Sequence, residues 1–162
     1  MKTHAALAAA LAALNAATAL HAQTRVVYVD QSAPPGGDGT TWQAAFRTLD
    51  AALAQFTNQV VPTSAEIRIA QGTYHAAPGA ASTPGFLLSP YEMISGITLS
   101  LLGSFGGLRA PDPDAVDFSA TPTILSGDVL GDDAPNFTNR SDNRGPVLKI
   151  DPDPLYFSRN TR

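Results

Sequence analysis

Between Thr40 and Phe56 the apolar positions are Trp42, Ala45, Phe46, Leu49, Ala52, Leu53 and Phe56. They recur at the i, i+3, i+4, i+7 spacing of one helix face, and Gln43, Arg47, Asp50 and Gln55 fall off that face. The pattern predicts an amphipathic helix over about 41–56, opened by a Thr40 or Thr41 N-cap. So wide an apolar face is not stable alone, so the helix is expected to lie as a lid on other elements. Beyond it the period changes from helical to alternating. In Glu66–Ala70, Ile67 and Ile69 share one face while Glu66 and Arg68 take the other.

Other short runs read as strands: Arg25–Asp30, Ile97–Leu102 with Ile97, Leu99 and Leu101 on one face, Thr123–Val129, and Val147–Ile150. Pro- and Gly-rich stretches separate them: 31–41, an excursion loop over 75–90, 108–121 and a polar run over 130–145. Gly72-Thr73-Tyr74 reads as a turn. From Ile67 to Ile97 is 30 residues, from Ile97 to Ile124 is 27, and from Ile124 to Val147 is 23. One strand every twenty to thirty residues suggests an all-β solenoid in which each unit stacks on the last. A β-sandwich is the competing fold, although its turns come at shorter intervals.

Composition narrows the function classes. The chain has 162 residues, is 44% hydrophobic and 15% charged, and holds 13 Gly and 13 Pro, which suits one turn-rich domain. Its net charge of −4, with scattered Arg and few Lys, argues against nucleic acid as a partner, since phosphate binding needs a clustered basic face. With no Cys, disulfides, thiolate zinc sites and thiol nucleophiles are excluded. Lys2 and His4, the Ala/Leu run Ala5–Leu14 and the small residues up to Ala22 read as a cleaved signal peptide over 1–22. The cut is expected after Ala19 or Ala22. The mature chain is then expected to be exported, without a membrane span.

Val27-Tyr28-Val29-Asp30, Gly37-Asp38-Gly39-Thr40-Thr41-Trp42, the helix, and Ile67-Arg68-Ile69-Ala70-Gln71-Gly72-Thr73-Tyr74 follow in that order. After them come Leu101-Leu102-Gly103-Ser104-Phe105-Gly106-Gly107 and Pro122–Asp133. This succession, over residues 26–150, resembles the N-terminal part of secreted right-handed parallel β-helix proteins. Those form the pectate-lyase-like superfold, found in large bacterial surface proteins. The resemblance implies a right-handed β-helix with few coils over 23–150 and the helix capping its open end. It implies a structural, adhesive or polysaccharide-contacting role at the cell surface, and as the alternative a remnant or member of the polysaccharide lyase and hydrolase class. Members of that superfold run for many more coils and end in a cap or anchor. Here residues 151–162 contain Pro152 and Pro154 and only Leu155-Tyr156-Phe157 as an apolar group. The chain is therefore expected to be the N-terminal piece of something longer, or truncated, with an uncapped last coil open to self-association.

The β-helix lyases hold Ca²⁺ on acidic residues and use Arg or Lys as base, and the hydrolases use clustered Asp. The nearest counterparts are Asp128, Asp132 and Asp133, with Arg140, Asp142, Arg144 and Lys149 downstream. Three carboxylates in one loop can supply part of the oxygen shell of Ca²⁺. The alternation and closing Glu of an EF-hand are missing, and Asp is also the ordinary residue of a solvated turn. No lyase or hydrolase catalytic motif matches, so catalytic residues stay unknown and the reading leans away from an enzyme. His75, alone among Ala and Pro, is expected at the surface without ligand partners. Trp42, Phe46 and Phe56 have the spacing of lid packing rather than of a sugar platform. Asn136-Phe137-Thr138 and Asn139-Arg140-Ser141 match the N-glycosylation pattern.

Overall fold

The computed structural model describes residues 24–56, 64–79, 83–88 and 98–150. The expected leader over 1–22 and the tail over 151–162 lie outside the described residues, as does Ile97, the expected start of a strand.

Arg25–Val29 (β1), Ser64–Ala70 (β2) and Thr98–Phe105 (β5) form a parallel sheet in the order β1-β2-β5. Gly72–His75 (β3) pairs in parallel with Thr123–Ser126 (β6), and Phe86–Leu88 (β4) pairs in parallel with Leu148–Ile150 (β7). The alternation seen in the sequence sets the faces. Val27, Val29, Ala65, Ile67 and Ile69 point into one core with Tyr74, Ala76 and Phe86. Glu66 and Arg68 take the outer face, where they pair at 2.5 Å. Asp114 Oδ1 receives Arg68 Nη1 at 3.1 Å and Trp42 Nε1 at 3.2 Å, tying that face to the 108–121 loop.

Two expectations are corrected. The first is the right-handed parallel β-helix. The strands counted at 30-, 27- and 23-residue intervals do not stack on one another as successive units of one solenoid sheet. β5 joins β2, but β6 leaves that sheet for β3, and β7 leaves both for β4. Among the described residues the result is three separate parallel sheets of three, two and two strands. The spacing misled because β3 and β4, hidden in what read as a turn and a loop, are the partners that β6 and β7 take up. β5 also runs past Leu102, where the expected strand ended, through Ser104, whose φ of 67° accompanies a register shift against β2.

The second is the helix over 41–56. Only Leu49–Leu53 (α1) is α-helical, followed by a 3₁₀ turn at Ala54–Phe56. Thr48 caps α1 through its side chain, which accepts the Ala51 N–H. Residues 39–46 use their backbone groups elsewhere. Tyr28 N donates to Gly39 O at 2.9 Å, Phe46 N to Tyr28 O at 2.9 Å, and Asp30 N to Phe46 O at 2.8 Å. Phe46 thus spends both its N–H and its carbonyl on β1, and Gly39 N donates forward to Ala44 O at 2.7 Å, pairings that no helical ladder contains. Its apolar residues are still covered. Trp42 packs with Ala70 and Phe105, and meets Tyr28 edge-on at 4.8 Å between ring centroids. Leu49, Ala52, Leu53 and Phe56 fill the main core against β1 and β4. Together, loop and helix close one end of the sheets.

Candidate functional site

The loop that follows β6 is organised by Asp128. Its carboxylate accepts the backbone N–H groups of Gly131 at 2.7 Å, Asp133 at 3.1 Å and Asp132 at 3.3 Å. An aspartate at the head of a turn does this readily, because its short side chain reaches N–H groups three to five residues on. Gly131, at φ 68°, supplies the left-handed residue that the turn requires. Burial acts to raise the Asp128 pKa, but the three N–H groups and nearby His75 outweigh it and hold the carboxylate below its usual value.

Of the three acids expected to converge, Asp128 and Asp132 do and Asp133 does not. Asp133 turns to Asn143, whose Nδ2 donates to both of its oxygens at 3.0 and 3.2 Å, and to Arg140 at 3.8 Å. Its place is taken by Asp142, which also accepts the Leu130 N–H at 2.8 Å. Carboxylate oxygens of Asp128, Asp132 and Asp142 lie within 4.8 Å of one another. Some desolvation, then the charges of Asp142, Asp128 and Asp133, raise the Asp132 pKa. Ten residues separate Asp132 from Asp142, so nothing in the local spacing singled out Asp142. The fold back through the 140–144 turn brings it in.

His75 is exposed, as the sequence suggested, and its ring bonds to a backbone carbonyl rather than to a ligand group. Its Nδ1 lies 2.5 Å from the Asp128 carbonyl oxygen, which places an N–H at Nδ1, and its ring packs on Gly131. The β3–β6 register, which pairs His75 with Ser126, brings the two together. Trp42 and Phe56 are buried, in keeping with packing rather than display, and so are Tyr74 and Phe105. Tyr74 donates from its hydroxyl to Ala70 O at 3.1 Å, and burial pushes its phenol far up, with the Asp30 charge adding to the effect.

Beside the Asp128 loop lies a cleft of about 540 Å³ lined by Ser126, Asp133, Arg140, Asn143, Arg144 and Val147, among others. Phe137, outside that lining, stands 82% exposed, with φ at 61° and the guanidinium of the cleft-lining Arg140 5.2 Å from its ring centroid. A bulky residue held left-handed at the surface is uncommon, although Phe118 is nearly as exposed, at 80%. Asn136 and Asn139 flank Phe137, both exposed and both left-handed. In sequence Phe137 was visible only as the middle of a glycosylation pattern. Among the described residues no helix is long and apolar enough to cross a membrane. No protein-family model, curated protein or solved structure matches the chain.

Proposed function

We propose that the chain is an exported structural or adhesive module that contacts polysaccharide at the cell surface through the 126–147 face. The observation that carries this reading is Phe137, exposed and with its ring against Arg140, which lines a cleft together with Asp133 and Asn143. An exposed aromatic face takes the C–H face of a sugar ring, while Asp133, Asn143 and Arg140 offer the paired acceptors and donors that adjacent hydroxyls need. Export is supported by the leader pattern over 1–22. Calcium at Asp128, Asp132 and Asp142 is an accessory to this reading and not its basis.

The test is retention on a panel of immobilised neutral and acidic polysaccharides, with Phe137→Ala as the control. Retention that drops at least about tenfold in the variant supports the proposal, a loss the size of one stacking contact. No retention on any member of the panel overturns it. Bond cleavage in the same polysaccharides with Ca²⁺ present would install the lyase or hydrolase alternative. For export, the secreted product should begin at Leu20 or Gln23.

A further inference from the structure

A second cleft, of about 410 Å³, lies where the turn after β1 and residues 47–49 meet β3. Gln31, Arg47, Thr48, Thr73 and His75 supply its polar lining, and Leu49 and Tyr74 complete it. Strand alternation places two of these residues. Tyr74 turns into the core, so Thr73 and His75, one position to either side, share the outer face of β3. Each polar residue but Thr73 spends one side-chain atom on the backbone and keeps further capacity. Arg47 Nε donates to Gln31 O at 3.1 Å and leaves two terminal nitrogens. Gln31 Nε2 donates to Thr73 O and leaves Oε1 as an acceptor. Thr48 Oγ1 accepts the Ala51 N–H at 3.3 Å and keeps its own hydrogen to donate. His75 Nδ1 donates to Asp128 O, which leaves Nε2 a lone pair in the neutral ring. Among the described residues no other bond takes up these atoms, and no carboxylate pairs with Arg47.

We propose that this cleft binds a small hydroxy acid, with its carboxylate on the Arg47 guanidinium and its hydroxyl between Thr73 and His75. The terminal N–H groups of an arginine form a planar fork that matches the two oxygens of a carboxylate, and the Nε bond to Gln31 O constrains where that fork points. A hydroxyl both donates and accepts, so it suits the mixed set found here: hydroxyls at Thr48 and Thr73, acceptors at Gln31 Oε1 and His75 Nε2. A simple acid would leave the acceptors unused, and a neutral polyol would leave the guanidinium unused. Charges that act on the lining include Asp128 on His75, and Asp30 and Arg109 on Tyr74. Both aspartates already accept from N–H groups, which leaves Arg47 as the charge a ligand would meet. No residue lines both this cleft and the one beside Asp128, so the proposal does not rest on polysaccharide binding.

In the full chain, glycerate should shift the Arg47 Nε–H and Thr73 amide NMR signals and saturate them below about 10 mM, a range that sets a site apart from loose ion pairing. Propionate, the same acid without hydroxyls, and glycerol, without the carboxylate, should each bind at least about fivefold more weakly. Arg47→Ala should lower glycerate affinity at least about tenfold, and because Arg47 is exposed the fold should persist. Thr73→Val should weaken glycerate and leave propionate unchanged, a difference that loss of folding could not produce. Equal affinity for glycerate and propionate, undiminished binding in Arg47→Ala, no saturable shift up to that concentration, or inorganic phosphate binding as tightly as glycerate would each overturn the proposal.

Discussion

Gly107 sits directly beneath the Asp30 carboxylate: a Cβ at Gly107 would fall 2.5 Å from Asp30 Oδ2 and 2.5 Å from the Ala70 Cβ. Asp30 is 3% exposed, and its two oxygens accept from Leu108 N at 2.7 Å, Ser32 N at 2.7 Å and Ser32 Oγ at 2.5 Å. The pair joins the end of β1 to the turn after β5, two segments 78 residues apart. Gly107 has φ 61°, so a side chain there meets both a crowded site and a disfavoured backbone. Gly107→Ala is expected to destabilise by about 1–3 kcal/mol in denaturant melts. Asp30→Ala should cost a similar amount, about 1–3 kcal/mol, by removing a charged acceptor from the partly buried N–H groups of Ser32 and Leu108. Equal stability of Gly107→Ala and the parent would show that the junction is not tight.

The short helix is held by what it covers. Leu49 is 0% and Leu53 3% exposed, and five residues of helix have little stability of their own. Leu49→Ala or Leu53→Ala should each lower stability by about 2–5 kcal/mol. Thr48→Ala, which removes the cap, should lower it by about 1 kcal/mol. A loss under about half a kcal/mol at both leucines would mean that α1 does not close a core.

The sequence revealed where the strands were better than how they met. Alternation at Glu66–Ala70 marked both the buried Ile67 and Ile69 and the outward Glu66–Arg68 pair, because a strand's faces follow from its period alone. Apolar positions over 42–56 identified the covered residues, yet gave the wrong backbone for 40–48. Burial depends on which residues are apolar, whereas helix formation depends on whether backbone groups have better partners, and here β1 supplied them. β3 and β4 were invisible, being short and embedded in Gly, Pro and Ala, and they determine the sheet assignments of β6 and β7. At the site, Asp128 and Asp132 were legible as neighbours in a loop. Asp142 and His75 were not, because only the fold-back of 140–144 and the β3–β6 register bring them there.

Arg144 binds three carbonyls of a segment some 60 residues away. Its Nη1 donates to Ala77 O at 2.6 Å, Nη2 to Pro84 O at 3.0 Å and Nε to Thr83 O at 3.4 Å, while its own N–H donates to Gly127 O at 2.8 Å. A Cβ on Gly79 would stand 2.0 Å from Nη1, so Gly79 leaves the space that the guanidinium occupies. Arg144→Lys keeps the charge but not the planar fork, and should weaken the attachment nearly as much as Arg144→Ala. Each is expected to cost about 1–3 kcal/mol, with faster amide exchange at Gly85 and Phe86. Full stability in Arg144→Lys would show that charge alone holds the segment.

The two acids at the centre of the loop should titrate in opposite directions from the ordinary aspartate value of 3.8. Asp128 lies below it, so the stability Asp128 contributes is present above that value and is lost as pH falls through its own lower pKa. Asp132 lies above it, pushed up by burial and then by the charges of Asp142, Asp128 and Asp133. Its contribution is present below 3.8 and is lost as pH rises through its raised pKa. Carboxyl-resolved NMR titration should find this order, and Asp142→Asn should move Asp132 back toward 3.8. Above the Asp132 pKa, Asp132→Asn should stabilise the loop, whereas Asp128→Asn should destabilise it by weakening the acceptor for three N–H groups. Calcium offers a second route to relieving the repulsion. It takes six to eight oxygens, and this loop presents three carboxylates, two of them already engaged with backbone N–H groups. Affinity is therefore expected to be weak, on the order of 10⁻⁴–10⁻³ M by calorimetry, with binding lowering the Asp132 pKa. Sub-micromolar binding abolished by Asp132→Asn would show a complete ligand set and overturn the assignment of this loop as a turn that Asp128 holds by itself.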